Sequence, residues 1–86
     1  MNINQLISIV KNKIEKNISL EYVNIEDKTF LHKRHKTHQD EKFHLKLSIK
    51  SSEPEKMNKI ELTKKIYSIL DEELKKYIHS IQILIN

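Results

Sequence analysis

The sequence predicts an α+β fold in the order α-β-β-α-β, a three-stranded sheet with its helices packed on one face. Three observations carry this expectation. Phe43, Leu45, Leu47 and Ile49 alternate with His44, Lys46, Ser48 and Lys50, the two-residue period of a strand with one buried and one wet side. Two longer stretches, 2–18 and 58–77, instead repeat apolar residues every three or four positions, as a helix buried along one stripe requires. A second alternation, Ile81, Ile83 and Ile85, closes the chain.

Each element has its local reasons. In the first helix Ile3, Leu6, Ile7, Val10, Ile14 and Ile18 line one side, Asn2 or Asn4 caps the start and Asn17 marks the end. Residues 20–26 are rich in β-formers, with Val23 and Ile25 set against Asn24 and Glu26, and predict a strand. Residues 43–50 form the second strand, with the one-sided burial of an antiparallel sheet covered on one side only. Ser51 to Lys56 holds the sole proline, Pro54, and reads as a turn. Asn58 followed by Glu61 fits a capping box for the long helix, whose stripe is Ile66, Ile69, Leu70, Leu74 and Tyr77. Asp71-Glu72-Glu73 can restart that helix, which places a break near residue 70. In the last strand, 79–85, strict alternation puts His79 on the inward face with Ile81. The expected core is Phe43, Leu47, Ile49, Ile66, Leu70, Ile81 and Ile83.

Composition narrows the function. Eighty-six residues make a single domain, 1–86, with a modest core and little room for a walled catalytic cleft. No cysteine is present, which removes disulfides, a thiol nucleophile and any iron–sulfur cluster held by the chain alone. No glycine is present either, which removes the phosphate-binding glycine loops and the GXXG clamp of nucleic-acid-binding KH domains, and leaves positive-φ turns to Asn or Asp. The net charge is +4, but of the sixteen basic residues only Arg34 is arginine, the residue that carries most bidentate base and phosphate recognition. The basic balance is therefore a weak argument for nucleic acid. No apolar run reaches the length of a membrane span and no signal-peptide pattern opens the chain, so the cytoplasm is the expected compartment.

The chemistry-bearing stretch is Asp27 to His38, where His32, His35 and His38 stand three apart in a run without apolar periodicity. His44 opens the second strand and His79 stands at the junction before the last. Neutral imidazole is the common nitrogen ligand for metals, and loops are where a rigid scaffold displays functional side chains. Read from composition alone, a loop histidine is solvated, and His79 is a helix-end histidine interacting with the dipole. Asp27 and Thr29 are loop-shaping residues whose side chains accept or make local hydrogen bonds. An acid–base enzyme built on Asp27 and His32 lacks a nucleophile, an oxyanion donor set and an enclosed pocket, so the chain is expected to be non-enzymatic. A zinc site of His32, His35 and His38 is weaker, because structural zinc commonly takes four ligands with cysteine among them. His44, on the open sheet face, and Lys59, Lys64 and Lys65 on the long helix are solvated positions or a partner or nucleic-acid surface.

Taken in order, these residues resemble the BolA family, whose α-β-β-α-β fold is related to the KH fold. Asp27, Thr29 and His32 fall where the family has an acidic residue, a serine two later and a histidine three beyond, and His35 stands where many members have a second histidine. His44-Leu45 and Ser51 fall where it has His-Phe and a serine on the second strand; Ile78-His79-Ser80-Ile81 matches its C-terminal signature, preceded by Tyr67, Leu70 and Glu72-Glu73-Leu74. The chain departs at Thr29, at Leu45, and at Leu62-Thr63-Lys64, where many members carry Arg-His-Arg. The resemblance implies a partner of monothiol glutaredoxin in iron–sulfur cluster assembly or trafficking. A [2Fe-2S] cluster would be shared with glutaredoxin and glutathione, with His32 and His79 as the ligands from this chain and His35 as the alternative loop ligand. The other implied role is a KH-like transcriptional regulator that binds nucleic acid.

Overall fold

A computed structural model describes residues 2–29, 42–52 and 58–86. The expected turn at Pro54 and the loop with His32, His35 and His38 lie outside the described residues. Helix α1, Ile3–Asn17, starts at a full capping box: the Asn2 side chain accepts from the Gln5 backbone at 2.8 Å, and the Asn2 backbone donates to the Gln5 side chain at 3.1 Å. Of its apolar stripe, Leu6, Val10 and Ile14 are buried, at the four-residue spacing that stacks side chains on one side. The helix ends by passing directly into extended backbone at Ile18. None of the described residues has positive φ.

Strands β1 (Leu20–Asp27), β2 (Phe43–Ser51) and β3 (Ile78–Ile85) form one sheet in the order β1-β2-β3. β1 runs antiparallel to β2, with Val23 opposite Ile49 and Ile25 opposite Leu47. β3 runs parallel to β2, with Leu45 opposite Ile81, Leu47 opposite Ile83 and Ile49 opposite Ile85. The sheet is therefore mixed rather than antiparallel: a helical crossover between β2 and β3 returns the chain to the starting end, so the third strand must run parallel. One face is still covered and the other open, because all the helical packing is on one side.

The crossover consists of helices α2 (Lys59–Ile69) and α3 (Asp71–Lys76), with the break at Leu70. Asn58 caps α2 by accepting from the backbone N–H of Ile60 and Glu61. Leu70 leaves helical geometry (φ −97°, ψ 15°) yet is fully buried, so the bend keeps its side chain in the core. α3 then carries Asp71, Glu72 and Glu73 in its first turn and Lys75 and Lys76 in its last, the arrangement its dipole favours.

One core unites these elements: Leu6, Val10 and Ile14 from α1, Leu45, Leu47 and Ile49 from β2, Ile66 and Leu70 from the crossover, and Ile78. Of the expected core, Leu47, Ile49, Ile66 and Leu70 are buried, whereas Phe43, Ile81 and Ile83 pack at its margin. β1 and β3 are the edge strands, so apart from Ile78 their inward residues are covered less than those of β2. α1 is also tied to α3 by Lys13, whose ammonium donates to Glu73 at 2.6 Å. Glu73 is only 4% exposed, and its Oε1 has no partner among the described residues. The cation is therefore what makes burial of this carboxylate tolerable. Among the described residues no helix is long and apolar enough to cross a membrane.

Two outcomes follow from this packing. Leu47→Ala empties the centre of the core and is expected to lower stability by about 2–5 kcal/mol in urea unfolding. Lys13→Met leaves the Glu73 carboxylate unpaired and is expected to cost about 1–3 kcal/mol near neutral pH. The hydrogen bond to Glu73 raises the Lys13 pKa above its ordinary 10.5, with burial opposing and the charges of Glu73 and Glu72 adding. A raised pKa stabilises the fold fully below 10.5 and ceases to do so as pH climbs through the raised value. The stability gap between wild type and Lys13→Met should accordingly hold up to pH 10 and narrow above it. A gap that stays constant into that alkaline range would show that the ion pair does not supply it.

Candidate metal centre

The site is built at the end of the sheet where β1 finishes and β2 and β3 begin. After Asp27 the chain turns, and the Asp27 carboxylate accepts from both the backbone N–H of Thr29, at 3.0 Å, and the Thr29 hydroxyl. This is an Asx-type turn, in which a short side chain substitutes for backbone pairing. The Thr29 hydroxyl oxygen in turn accepts from the backbone N–H of His44 at 3.2 Å, while the Lys28 N–H donates to the His44 carbonyl at 2.7 Å. The backbone of His44 is thus clamped by the two residues that follow β1.

β3 enters the same end through a register irregularity. Phe43 lies opposite Ile78 but His44 lies opposite Ser80, so His79 is one extra residue on the β3 side. The extra residue resets the alternation: Ile78 is buried at 2% exposure, Ile81 also packs inward, and His79 between them is exposed. The expectation that His79 shares the inward face is corrected by this bulge. Its ring lies instead beside that of His44, with centroids 4.9 Å apart and planes tilted by 60°. His44 Nδ1 is hydrogen-bonded to Ser80 Oγ at 2.6 Å. His44, Ser80 and His79 therefore form a small polar cluster on the open face.

His79, His44, Asp27 and Thr29 are all at this end of the sheet. His32 and His35 lie outside the described residues; Thr29, three positions before His32, is in the cluster. Lys59, Lys64 and Lys65 are exposed on α2, in the helical layer across the sheet from the histidines, so the lysines and the cluster are separate surfaces. No group of three or more potential metal-ligating side chains is assembled among the described residues. Ser80 is the member sequence reasoning missed. Its only signal was the small residue after His79, and its pairing with His44 depends on the parallel register.

Residues 14–86 match the family model described as BolA-like protein. The chain belongs to the BolA-like family. Among solved structures, this BolA-like chain is similar to BolA1 from Arabidopsis thaliana, with 27% identity and a TM-score of 0.73 over 92% of this chain and 87% of that one. It is also similar to the BolA domain of SufE1 from Arabidopsis thaliana, at 23% identity and a TM-score of 0.73, covering 100% of this chain and 93% of that one. The BolA1 protein from Mus musculus shares 21% identity at a TM-score of 0.68, over 90% of this chain and 60% of that one. No curated protein matches the chain. The BolA-like assignment accounts for the element order, including the parallel last strand.

Thr29→Val removes the hydroxyl that joins the Asp27 turn to His44. The loss is expected to be about 0.5–1.5 kcal/mol, the net value of an ordinary hydrogen bond. Amide exchange should accelerate at His44 and at residue 29 and leave the α1 amides unchanged.

Proposed function

We propose that this BolA-like protein is a non-enzymatic cytoplasmic partner of a monothiol glutaredoxin in iron–sulfur cluster assembly or trafficking, with the cluster as shared cargo. The observation that carries this reading is the meeting of the histidine loop's stem with His79 at one end of the sheet. Thr29 bonds to His44, and the His44 ring lies against His79. Thr29 stands three positions before His32 in the sequence.

The donor set fits such a cargo. The chain has no cysteine, so sulfur ligands come from glutaredoxin and from glutathione, and this protein contributes imidazole. His79 supplies one nitrogen and His32 the other, with His35 as the alternative from the loop. Replacing thiolate by neutral imidazole on one iron raises the cluster's potential, as it does in Rieske-type centres. The residues of this chain present the rings: the bulge turns His79 outward, and the Asp27–Thr29 turn anchors the loop. The second reading, a nucleic-acid-binding transcriptional regulator, draws on the exposed Lys59, Lys64 and Lys65 of α2, which face away from the histidine cluster.

The test is reconstitution with a monothiol glutaredoxin and glutathione, followed by visible absorption and circular dichroism. His79→Ala is expected to abolish the mixed cluster's spectrum, and His32→Ala to weaken it less because His35 can replace it. A His79→Ala protein that keeps the wild-type spectrum and cluster lifetime would remove His79 from the ligand set.

A further inference from the structure

The two edges of the sheet differ in how they are protected. β1 holds Glu21, Glu26 and Asp27 and has a register irregularity between Leu20 and Tyr22. Charges and irregularities are two of the ways an exposed edge is blunted. Residues 78–86, by contrast, include no lysine, arginine, aspartate, glutamate, glycine or proline. The bulge of β3 falls at its start, and from Ser80 to Ile85 its register is regular. We propose that the outer edge of β3 pairs antiparallel with the same edge of a second copy of this chain, centred on Ile83. This inference goes beyond the reading above and does not rest on it, because it uses the backbone of the strand and not the histidine rings.

The backbone phase of β3 decides which groups face outward. The Asn86 N–H donates to the Ile49 carbonyl, and Ile49 lies opposite Ile85. Along a strand the N–H and C=O of one residue point to one side and those of the next residue to the other. The even-numbered residues therefore aim their backbone groups at β2, and Ile81, Ile83 and Ile85 aim theirs away from it. Among the described residues no strand lies on that outer side. The side chains of the same three isoleucines pack against the core yet are only half-buried. This edge thus leaves both backbone groups and apolar surface uncovered.

A second copy covers both at once. In an antiparallel pair centred on Ile83, that residue lies opposite its own counterpart and Ile81 lies opposite Ile85, each pair exchanging two N–H···O=C bonds. Every one of these cross-strand pairs is isoleucine with isoleucine, the β-branched kind that suits a pleated surface. On the open face Gln82 falls opposite Leu84, so no like charges meet. Any other centre with the same phase matches fewer isoleucines. β1 fails the same comparison, since pairing it with its own copy brings Glu21, Glu26 and Asp27 against an identical acidic strand. The twofold arrangement closes on itself and merges two three-stranded sheets into one. Contact along an edge is small, which is the regime of a weak, concentration-dependent dimer.

The test is amide hydrogen exchange by nuclear magnetic resonance on the full chain at rising concentration, with sedimentation equilibrium beside it. A dimer is expected by about 1 mM chain, the scale of weak association. Its signature is an alternation: exchange at Ile81, Ile83 and Ile85 should slow at least about twofold, while Gln82 and Leu84, already bonded to β2, stay unchanged. Gln82→Lys/Leu84→Lys alters two exposed side chains and sets lysine opposite lysine, which should weaken the dimer about tenfold. Gln82→Glu/Leu84→Lys sets glutamate opposite lysine and should restore it. Circular dichroism checks that both variants fold, and if either does not, the wild-type exchange pattern decides. A chain that stays monomeric at about 1 mM, a dimer that leaves the three isoleucine amides unprotected, or one that both variants affect equally would overturn the proposal. Protection of those amides that appears only on adding glutaredoxin would overturn it too, assigning the edge to that protein instead.

Discussion

The burial of β2 is the constraint on which the rest of the molecule depends. It is the central strand, hydrogen-bonded to a neighbour on both sides, and its Leu45, Leu47 and Ile49 reach nearly complete burial, joined in the rest of the sheet by Ile78 at the start of β3. α1 covers them with Leu6, Val10 and Ile14, and the crossover covers them with Ile66 and Leu70. Apart from Ile78 at the start of β3, the apolar residues of the edge strands are only half-covered, so the position of each edge is dictated by pairing with β2 and by the apolar margin it adds. Because side chains alternate on β2, sinking Leu45 into the core obliges its neighbour His44 to face the other way.

The histidine cluster is thus a by-product of core packing that the local backbone then refines. β2 presents His44 at the open face near its start. The turn after β1 fastens that residue through Thr29, and β3 lays Ser80 opposite it. The bulge reconciles two demands on β3: Ile78 must fill the core just after the helix ends, and Ile81, Ile83 and Ile85 must lie inward further on. These positions have opposite parity, and the extra residue that reconciles them is His79. Such irregularities often re-aim a side chain at a strand's end. Here the re-aimed side chain is the one a cargo would meet.

The division of the molecule into a helical layer and an open sheet face also separates its two candidate surfaces. The lysines of α2 belong to the layer, and the histidines to the far side of the sheet. A single partner contacting both would have to wrap around the sheet edge. The absence of glycine and the near-absence of arginine remove the usual phosphate-binding loops and most bidentate base recognition from the lysine surface. The match to the BolA-like family shows the scaffold without deciding between the two surfaces.

Local interactions were legible in the sequence. The stripe of α1, the alternation of β2, the Asn2 and Asn58 caps and the break near Leu70 all depend on residues within a few positions of one another, where spacing and propensity act directly. The family order was legible too, through Asp27-Thr29-His32 and Ile78-His79-Ser80-Ile81. Non-local register was not. Nothing in residues 79–85 says that β3 is parallel to β2, that Ile78 is its first buried residue, or that His79 is the extra one. Those facts arise when the crossover docks and Ile78 competes with Ile81 for the same core. The same register brought Ser80 and His79 to His44, across 36 and 35 positions of chain. By itself the sequence determined which histidines were available and what the scaffold was, because periodicity and motif are local. Which histidines meet was decided by the tertiary structure, because strand register is settled only when one core is filled from both sides.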